Sequence, residues 1–458
     1  MSDARSRSPH ADHDADTSLL DWRAMAVLAL AMLTAVPTPA VARRDDGRGV
    51  DVLHYDALVT PDVVAHTVTG TVRIRVRAAD RADDLSLDRG ALDIETATVD
   101  GRMAEVATSP RKATVRFAPP LESGSTHEVE IRYHGTPGSG LQFPEGRAQV
   151  YTIFTTSDWM PSVDRPGDRA TLRLRVVLPP DWRATGVGRS GPVTRAGDGR
   201  RVHEWRLDAP APTYTFGFAA APFTVVTSGR LHLLGDGFSA AELRRIFADT
   251  EGMLRFFERR AGLPFPHATY TQALVARTVG QEMSGLSLLS EAYGRGVLAD
   301  PTAITLAAHE AAHQWWGNLV TCEDWTHFWL NEGMATFMAA AYLETRLGRA
   351  AYDRAIAGFR AEYARVRDAG ADKPLVFPDW NRPSADDRTL VYQKGALVLH
   401  ELRTLLGDAT FWPALRAYTR GAAGRSVTTP AFQRAIEAAT GRDLADFFDR
   451  WVYARPPR

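Results

Sequence analysis

The sequence predicts an α+β multidomain fold, an antiparallel β-sandwich or saddle leading into a mixed α/β, mostly helical domain. Three observations carry that prediction. Runs in the first half, such as HTVTGTVRIRVRA and RATLRLRVVL, alternate apolar and polar residues, the period of a strand with one face buried. Clusters of Gly, Pro and Asp (GTPGSG, RAGDGR) separate these runs, and no helix-period segment interrupts them. After Gly229 the period changes, and SAAELRRIFADTEGMLRFFERRAG carries its apolar residues at helical spacing.

The elements follow in chain order. Within RAMAVLALAMLTAVPTPAVA an apolar core spans 24–36, then come Pro37 and Pro39 and the small-residue pattern Ala40-Val41-Ala42. That order reads as a cleavable secretory signal, or else an N-terminal anchor, over residues 1–42. The run falls short of the ~20 residues a membrane span needs. Export to a periplasm or medium is the expectation, with no stable membrane insertion once the signal is removed; anchored or cytoplasmic residence are the alternatives. Residues 43–226 read as the β domain and 227–458 as the helical one. In the latter, one helix should fill the SAAELRRIF…ERRAG stretch and stop at Gly262. ATYTQALVA and GLSLLS should be strands flanking a loop. Asp300-Pro301 offers an N-cap and first-turn proline for a helix running to Gly317, and a second helix should run from near Asn331 to Gly348. Residues 350–458 should be mostly helical around a loop at FPDWNRPSADD.

Bulk charge narrows the partners. With 54 Lys and Arg against 55 Asp and Glu, the formal net charge is -1, and no basic tract stands out. Nothing there would attract nucleic acid or an anionic surface. The single cysteine, Cys322, excludes an intrachain disulfide and any paired-cysteine metal motif.

The chemistry concentrates in HEAAHQWWGNLVT. His309 and His313 are four residues apart, so a helix puts both on one face, with Glu310 beside the first. A catalytic zinc takes three protein ligands and keeps one position open. WLNEGMATF supplies the third, Glu332, with eighteen residues between it and His313, room to end one helix and pack a second against it. His309, His313 and Glu332 make a His2Glu set for one Zn2+ per chain. Glu310, beside the metal without ligating it, is placed to act as general base toward attacking water. Trp315, Trp316 and Leu319 read as core packing, Cys322 as a small buried thiol and His327 as a packing or surface histidine, since a fourth ligand would close the site.

HEAAHQWWGNLVT followed by WLNEGMATF resembles the signature of the aminopeptidase N-type zinc metallopeptidases, the gluzincin family that includes leukotriene A4 hydrolase. TVTGTVRIRV, DWMPSVDRPGDRATLRLRVVLP, AGLPFPHATYTQALV and TGRDLADFFDRWV extend the resemblance along most of the chain. It implies a thermolysin-like catalytic domain after the β domain, in a short form without the family's C-terminal domains. It implies a zinc-dependent aminopeptidase acting on peptide substrates. The family's oxyanion-stabilising tyrosine, in a Tyr-x-x-Gly context, falls on Tyr392 in LVYQKGALVLHEL. Its Gly-x-Met-Glu-Asn stretch, whose glutamate binds the substrate's free α-amine, falls on VGQEM; this puts Glu282 in that role with Gly280 and Gln281 beside it, while Val279, Gln281 and Met283 depart from the pattern. Ile153 stands near the place of a glutamine that assists amine binding. Endopeptidase or epoxide hydrolase activity at the same metal, and a non-catalytic peptide-binding relative, are the other readings.

Overall fold

In the computed structural model, residues 49–277, 280–378 and 383–454 are described. The expected signal or anchor over 1–42 lies outside them.

The first half is β as its periodicity requires. Along Thr67–Ala78, Val68, Val72, Ile74 and Val76 are fully buried while Arg73, Arg75 and Arg77 alternate outward. This strand belongs to a nine-stranded sheet whose central members are Arg201–Pro212, Arg169–Leu178, Val50–Asp62, Thr67–Ala78 and Thr126–Gly135. The expectation of a purely antiparallel sheet needs one correction. Val50–Asp62 pairs parallel with Arg169–Leu178, with His54 opposite Thr171. The two strands are far apart in sequence, so the chain has the long connection that a parallel pair requires. A three-stranded and a four-stranded sheet complete this half, the latter containing Val150–Thr152.

A second, five-stranded sheet joins the halves, in the order Thr224–Ser228, Leu231–Gly235, Tyr270–Val275, Leu286–Ser290, Gly280–Met283. The boundary expected after Val226 falls inside its first strand. Both of its faces are covered. Leu233, Leu274 and Leu289 pack into the helical core, while Leu234, Ala273, Val275 and Leu288 pack into the core of the β-rich half. A sheet clamped between two apolar layers is a rigid platform for whatever its edge carries.

Three local expectations change. The stretch after Ser239 folds as two helices, Ala240–Ile246 and Thr250–Ala261, the second ending at left-handed Gly262. The break comes at Phe247, whose dihedrals leave the helical region, and the carboxylate of Asp249, ahead of the second helix, accepts from Arg346 Nε at 2.6 Å. Between the strands Tyr270–Val275 and Leu286–Ser290 lies an edge strand, Gly280–Met283, antiparallel to the latter, in place of a plain loop. The motif helix spans Thr305–Ala312, shorter than expected at both ends. Asp300 caps a turn instead, its Oδ1 accepting from Thr302 N–H at 2.9 Å. At the other end Gly317, at φ +133, turns the chain away. The next helix, Trp329–Leu347, starts within two residues of expectation. After it come helices Arg349–Asp368, Gly395–Leu406, Asp408–Ala422 and Thr429–Thr440.

Candidate metal centre and active site

His309 lies within the motif helix, and His313 caps its end with helical dihedrals, so the two rings share one face as the spacing required. The Trp329–Leu347 helix delivers Glu332 from its first turn. The three donors converge: His309 Nε2 is 2.9 Å from His313 Nε2 and 3.2 Å from Glu332 Oε2, and His313 Nε2 is 3.3 Å from Glu332 Oε2. All three residues are buried.

These residues fit a zinc ion on two grounds. Ligands bound at about 2.0–2.1 Å in a tetrahedral array lie roughly 3.3 Å from one another, close to the separations seen. The rings are also turned for ligation. His313 Nδ1 donates to the Trp316 carbonyl at 3.0 Å, which leaves the Nε2 lone pair facing the centre. Thr336 Oγ1 lies 3.4 Å from His309 Nδ1 and holds the second ring from behind.

The electrostatics agree. Glu282, Glu310 and Glu332 are all buried around two imidazoles, three carboxyl groups whose ionised forms a divalent cation would favour. Burial pulls the His313 imidazole down, but the carboxylates of Glu332 and Glu282 outweigh it and push it up to about 10. Burial would raise Glu332, yet the charge on His313 and the hydrogen bond to His309 hold it at about 2. Burial, assisted by Glu282 and Glu332, raises Glu310 well above the ordinary carboxyl value. Burial likewise lifts Glu282 to about 7. Two carboxylate oxygens, Glu310 Oε2 and Glu282 Oε1, are buried without a hydrogen-bond partner among the described residues. Buried oxygens of that kind are costly unless a ligand or substrate meets them.

Tyr392 sits in a π-helical turn, Leu390–Lys394, between the short helix Ala385–Thr389 and Gly395–Leu406. Its ring stacks on His309 with centroids 5.8 Å apart and planes 14° from parallel. Burial, and then the charges of Glu332, Glu282 and Glu310, keep its hydroxyl protonated far above neutrality. It is therefore a donor beside the metal residues. Gly280 also has a steric reason to be glycine, since a Cβ there would overlap Glu310 Oε1. Glu282 lies on the same edge strand, and the Nε2 of Gln281 donates to its Oε2 at 2.9 Å.

The residues that lock this arrangement escaped the sequence reading. Gln314 holds the edge hairpin, accepting from Gly285 N–H at 2.9 Å and donating to the Met283 carbonyl at 3.1 Å. Asn318 Nδ2 donates to the Glu282 carbonyl at 3.0 Å. Gln314 and Asn318 follow Glu310 at intervals of four in sequence, a signal of spacing alone, because the motif helix ends at Ala312 before either. Two residues of the β-rich half have no such signal. Arg169 bonds the Asn318 carbonyl at 3.0 Å and Thr321 Oγ1 at 2.8 Å, and Tyr214 donates to the Gly317 carbonyl at 2.7 Å while accepting from Asn331 Nδ2 at 3.1 Å. A Cβ on Gly317 would press within 2.7 Å of His313 Nδ1. Cys322 is a buried free thiol, and His327 Nδ1 pairs with Thr429 Oγ1 at 3.0 Å, away from the donor triad.

Comparison with known proteins agrees with this geometry. Residues 52–215 match the peptidase M1 N-terminal domain, and residues 247–451 match the peptidase family M1 domain. Leucine aminopeptidase 2 of Aspergillus clavatus is 26% identical over 451 residues, covering 88% of this chain and 71% of the relative. Leukotriene A-4 hydrolase of Xenopus laevis is 26% identical over 444 residues, covering 87% and 70%. Among solved structures, an M1 zinc metallopeptidase from Deinococcus radiodurans superposes with a TM-score of 0.73 at 27% identity, covering 90% of this chain and 95% of that one. A two-domain M1 zinc metallopeptidase mutant bound to L-tryptophan superposes with a TM-score of 0.75 at 26% identity, covering 92% and 97%. The β-rich half and the helical half each find their counterpart in the same proteins, and the chain belongs to peptidase family M1 as a two-domain zinc metallopeptidase.

Proposed function

We propose that the protein is a zinc-dependent aminopeptidase that removes N-terminal residues from peptides, each step carried by its own side chains. The observation that carries the reading is a pair of carboxylate oxygens, Glu310 Oε2 and Glu282 Oε1, buried beside a His2Glu triad without a hydrogen-bond partner among the described residues. His309, His313 and Glu332 hold the zinc. When bound, zinc supplies Lewis acidity toward water and the scissile carbonyl.

Glu310 takes a proton from the attacking water and passes it to the leaving amine. Its buried Oε2, with no hydrogen-bond partner among the described residues, is open to receive that proton. Tyr392 donates its hydroxyl proton in a hydrogen bond to the oxyanion that develops on the scissile carbonyl. Glu282 accepts from the substrate's α-ammonium, which fixes the distance from the N-terminus to the bond that is cut. The β-rich half braces this centre, and the five-stranded sheet that begins at Thr224 carries the catalytic half. The apolar run at 24–36 and the Ala-Val-Ala pattern that follows support export. No helix among the described residues is long and apolar enough to cross a membrane.

The test is a panel of aminoacyl fluorogenic substrates, each with a free and an N-blocked amine, assayed with and without chelator. Activity should disappear on chelation and return with zinc, and blocked substrates should be inert. Hydrolysis that survives chelation would overturn the metal mechanism, and equal turnover of blocked substrates would make the enzyme an endopeptidase.

A further inference from the structure

The anchor carboxylate of Glu282 is half occupied. Gln281 Nε2 donates to its Oε2 at 2.9 Å, and Oε1 has no partner among the described residues. Gln281 is itself buried, and its Oε1 accepts the Phe154 N–H at 2.8 Å. A relay therefore runs from a main-chain donor in the β-rich half, through one amide, to the carboxylate. An amide suits this link, since its oxygen accepts the N–H while its nitrogen donates to the carboxylate.

Phe154 is held where the relay needs it. It is a non-glycine residue at φ +36, a conformation that costs energy unless its surroundings enforce it. Its ring is wedged against Tyr214 at 5.3 Å and Trp325 at 5.2 Å between centroids. Just upstream, the β-rich half fixes both main-chain groups of Ala276: Gln149 Oε1 accepts its N–H at 2.8 Å, and the Tyr151 hydroxyl bonds its carbonyl.

We propose that Gln281, fixed by Phe154, is a positioning residue that immobilises the Glu282 carboxylate so that Oε1 faces the α-ammonium of the substrate. The proposal rests on the reading of Glu282 as the amine anchor. Without the amide, both carboxylate oxygens lose their fixed direction, and the site stops distinguishing a ligand with an α-amine from one without.

The experiment uses the zinc-loaded full chain and compares Gln281→Met, nearly isosteric and unable to bridge, with Glu282→Gln. It reads KM and kcat on a free-amine aminoacyl substrate and Ki for a leucine-derived hydroxamate and its des-amino counterpart. In Gln281→Met, KM and the Ki of the amine-bearing inhibitor should rise about 10- to 100-fold, the range for losing a hydrogen bond to a charged group. The Ki of the des-amino inhibitor should not move, and the loss should fall in KM more than in kcat. Gln281→Asn, which keeps an amide but shortens its reach, should give the same split and serves if the first variant does not fold. If both inhibitors weaken equally, or neither does, Gln281 is only structural and the proposal is overturned. If Glu282→Gln abolishes the discrimination while Gln281→Met keeps it, the positioning proposal fails alone. If Glu282→Gln keeps the discrimination, the amine-anchor reading itself fails.

Discussion

Gly333 and Gly395 touch backbone to backbone: a Cβ built on Gly333 would lie 2.8 Å from the Cα of Gly395, and one on Gly395 would lie 2.9 Å from the Cα of Gly333. The residue before Gly333 is the metal-facing Glu332, and three residues before Gly395 is Tyr392. The crossing of these two helices therefore sets how far the tyrosine hydroxyl stands from the donor triad.

Gly395→Ala tests that contact. In an unencumbered helix, replacing glycine by alanine stabilises by roughly 0.5–1 kcal/mol. Here the added methyl must push two helices apart, at a cost of about 1–3 kcal/mol. A lower melting temperature together with reduced kcat is expected, and a melt at or above that of the parent would show that the helices part freely.

Glu310→Gln should lower kcat by about 10²–10⁴, the usual contribution of a positioned acid–base group. Zinc content, measured on the purified protein, should stay at one ion per chain, because Glu310 is outside the His309–His313–Glu332 set. Loss of zinc along with activity would assign Glu310 to the ligands instead.

Tyr392→Phe removes a single hydroxyl and keeps the ring stacked on His309. Its kcat should fall about 10²–10³ with KM little changed, as for the loss of one oxyanion donor. A loss confined to KM would mean that the hydroxyl binds ground-state substrate.

Asp168, buried immediately before the strand Arg169–Leu178, gives a prediction on stability. Burial raises its carboxyl to about 7. Between about 4 and 7 the folded protein keeps a proton that the unfolded chain has released, so this group's contribution is lost as pH rises through that window. At ~1.4 kcal/mol for each pH unit the window spans, the loss is on the order of a few kcal/mol. Thermal melts from pH 5 to 8 should fall more steeply for the parent than for Asp168→Asn. Parallel pH profiles for the two proteins would remove Asp168 from the account.

Much of the centre was legible because its chemistry is local in sequence. Four-residue spacing on a helix put His309 and His313 on one face, and a second helix had to bring Glu332. The errors came where capping chemistry competed with periodicity. Asp300 looked like an N-cap, but its side chain turned to Thr302 and the motif helix began later, at Thr305. Glu282 looked like a loop residue because the pairing that makes its strand comes from Leu286–Ser290, and pairing partners are invisible to local period.

By itself the sequence determined the fold class and the grouping of His309, His313 and Glu332 with Glu310 beside them, since those follow from residue type and from spacing within one or two helices. Tertiary structure alone decided what holds them in place. Arg169, Tyr214 and Phe154 reach the centre from the β-rich half across more than a hundred residues of chain. Contacts over such separations exist only once the five-stranded sheet is buried on both faces, and burial, unlike periodicity, belongs to the whole fold.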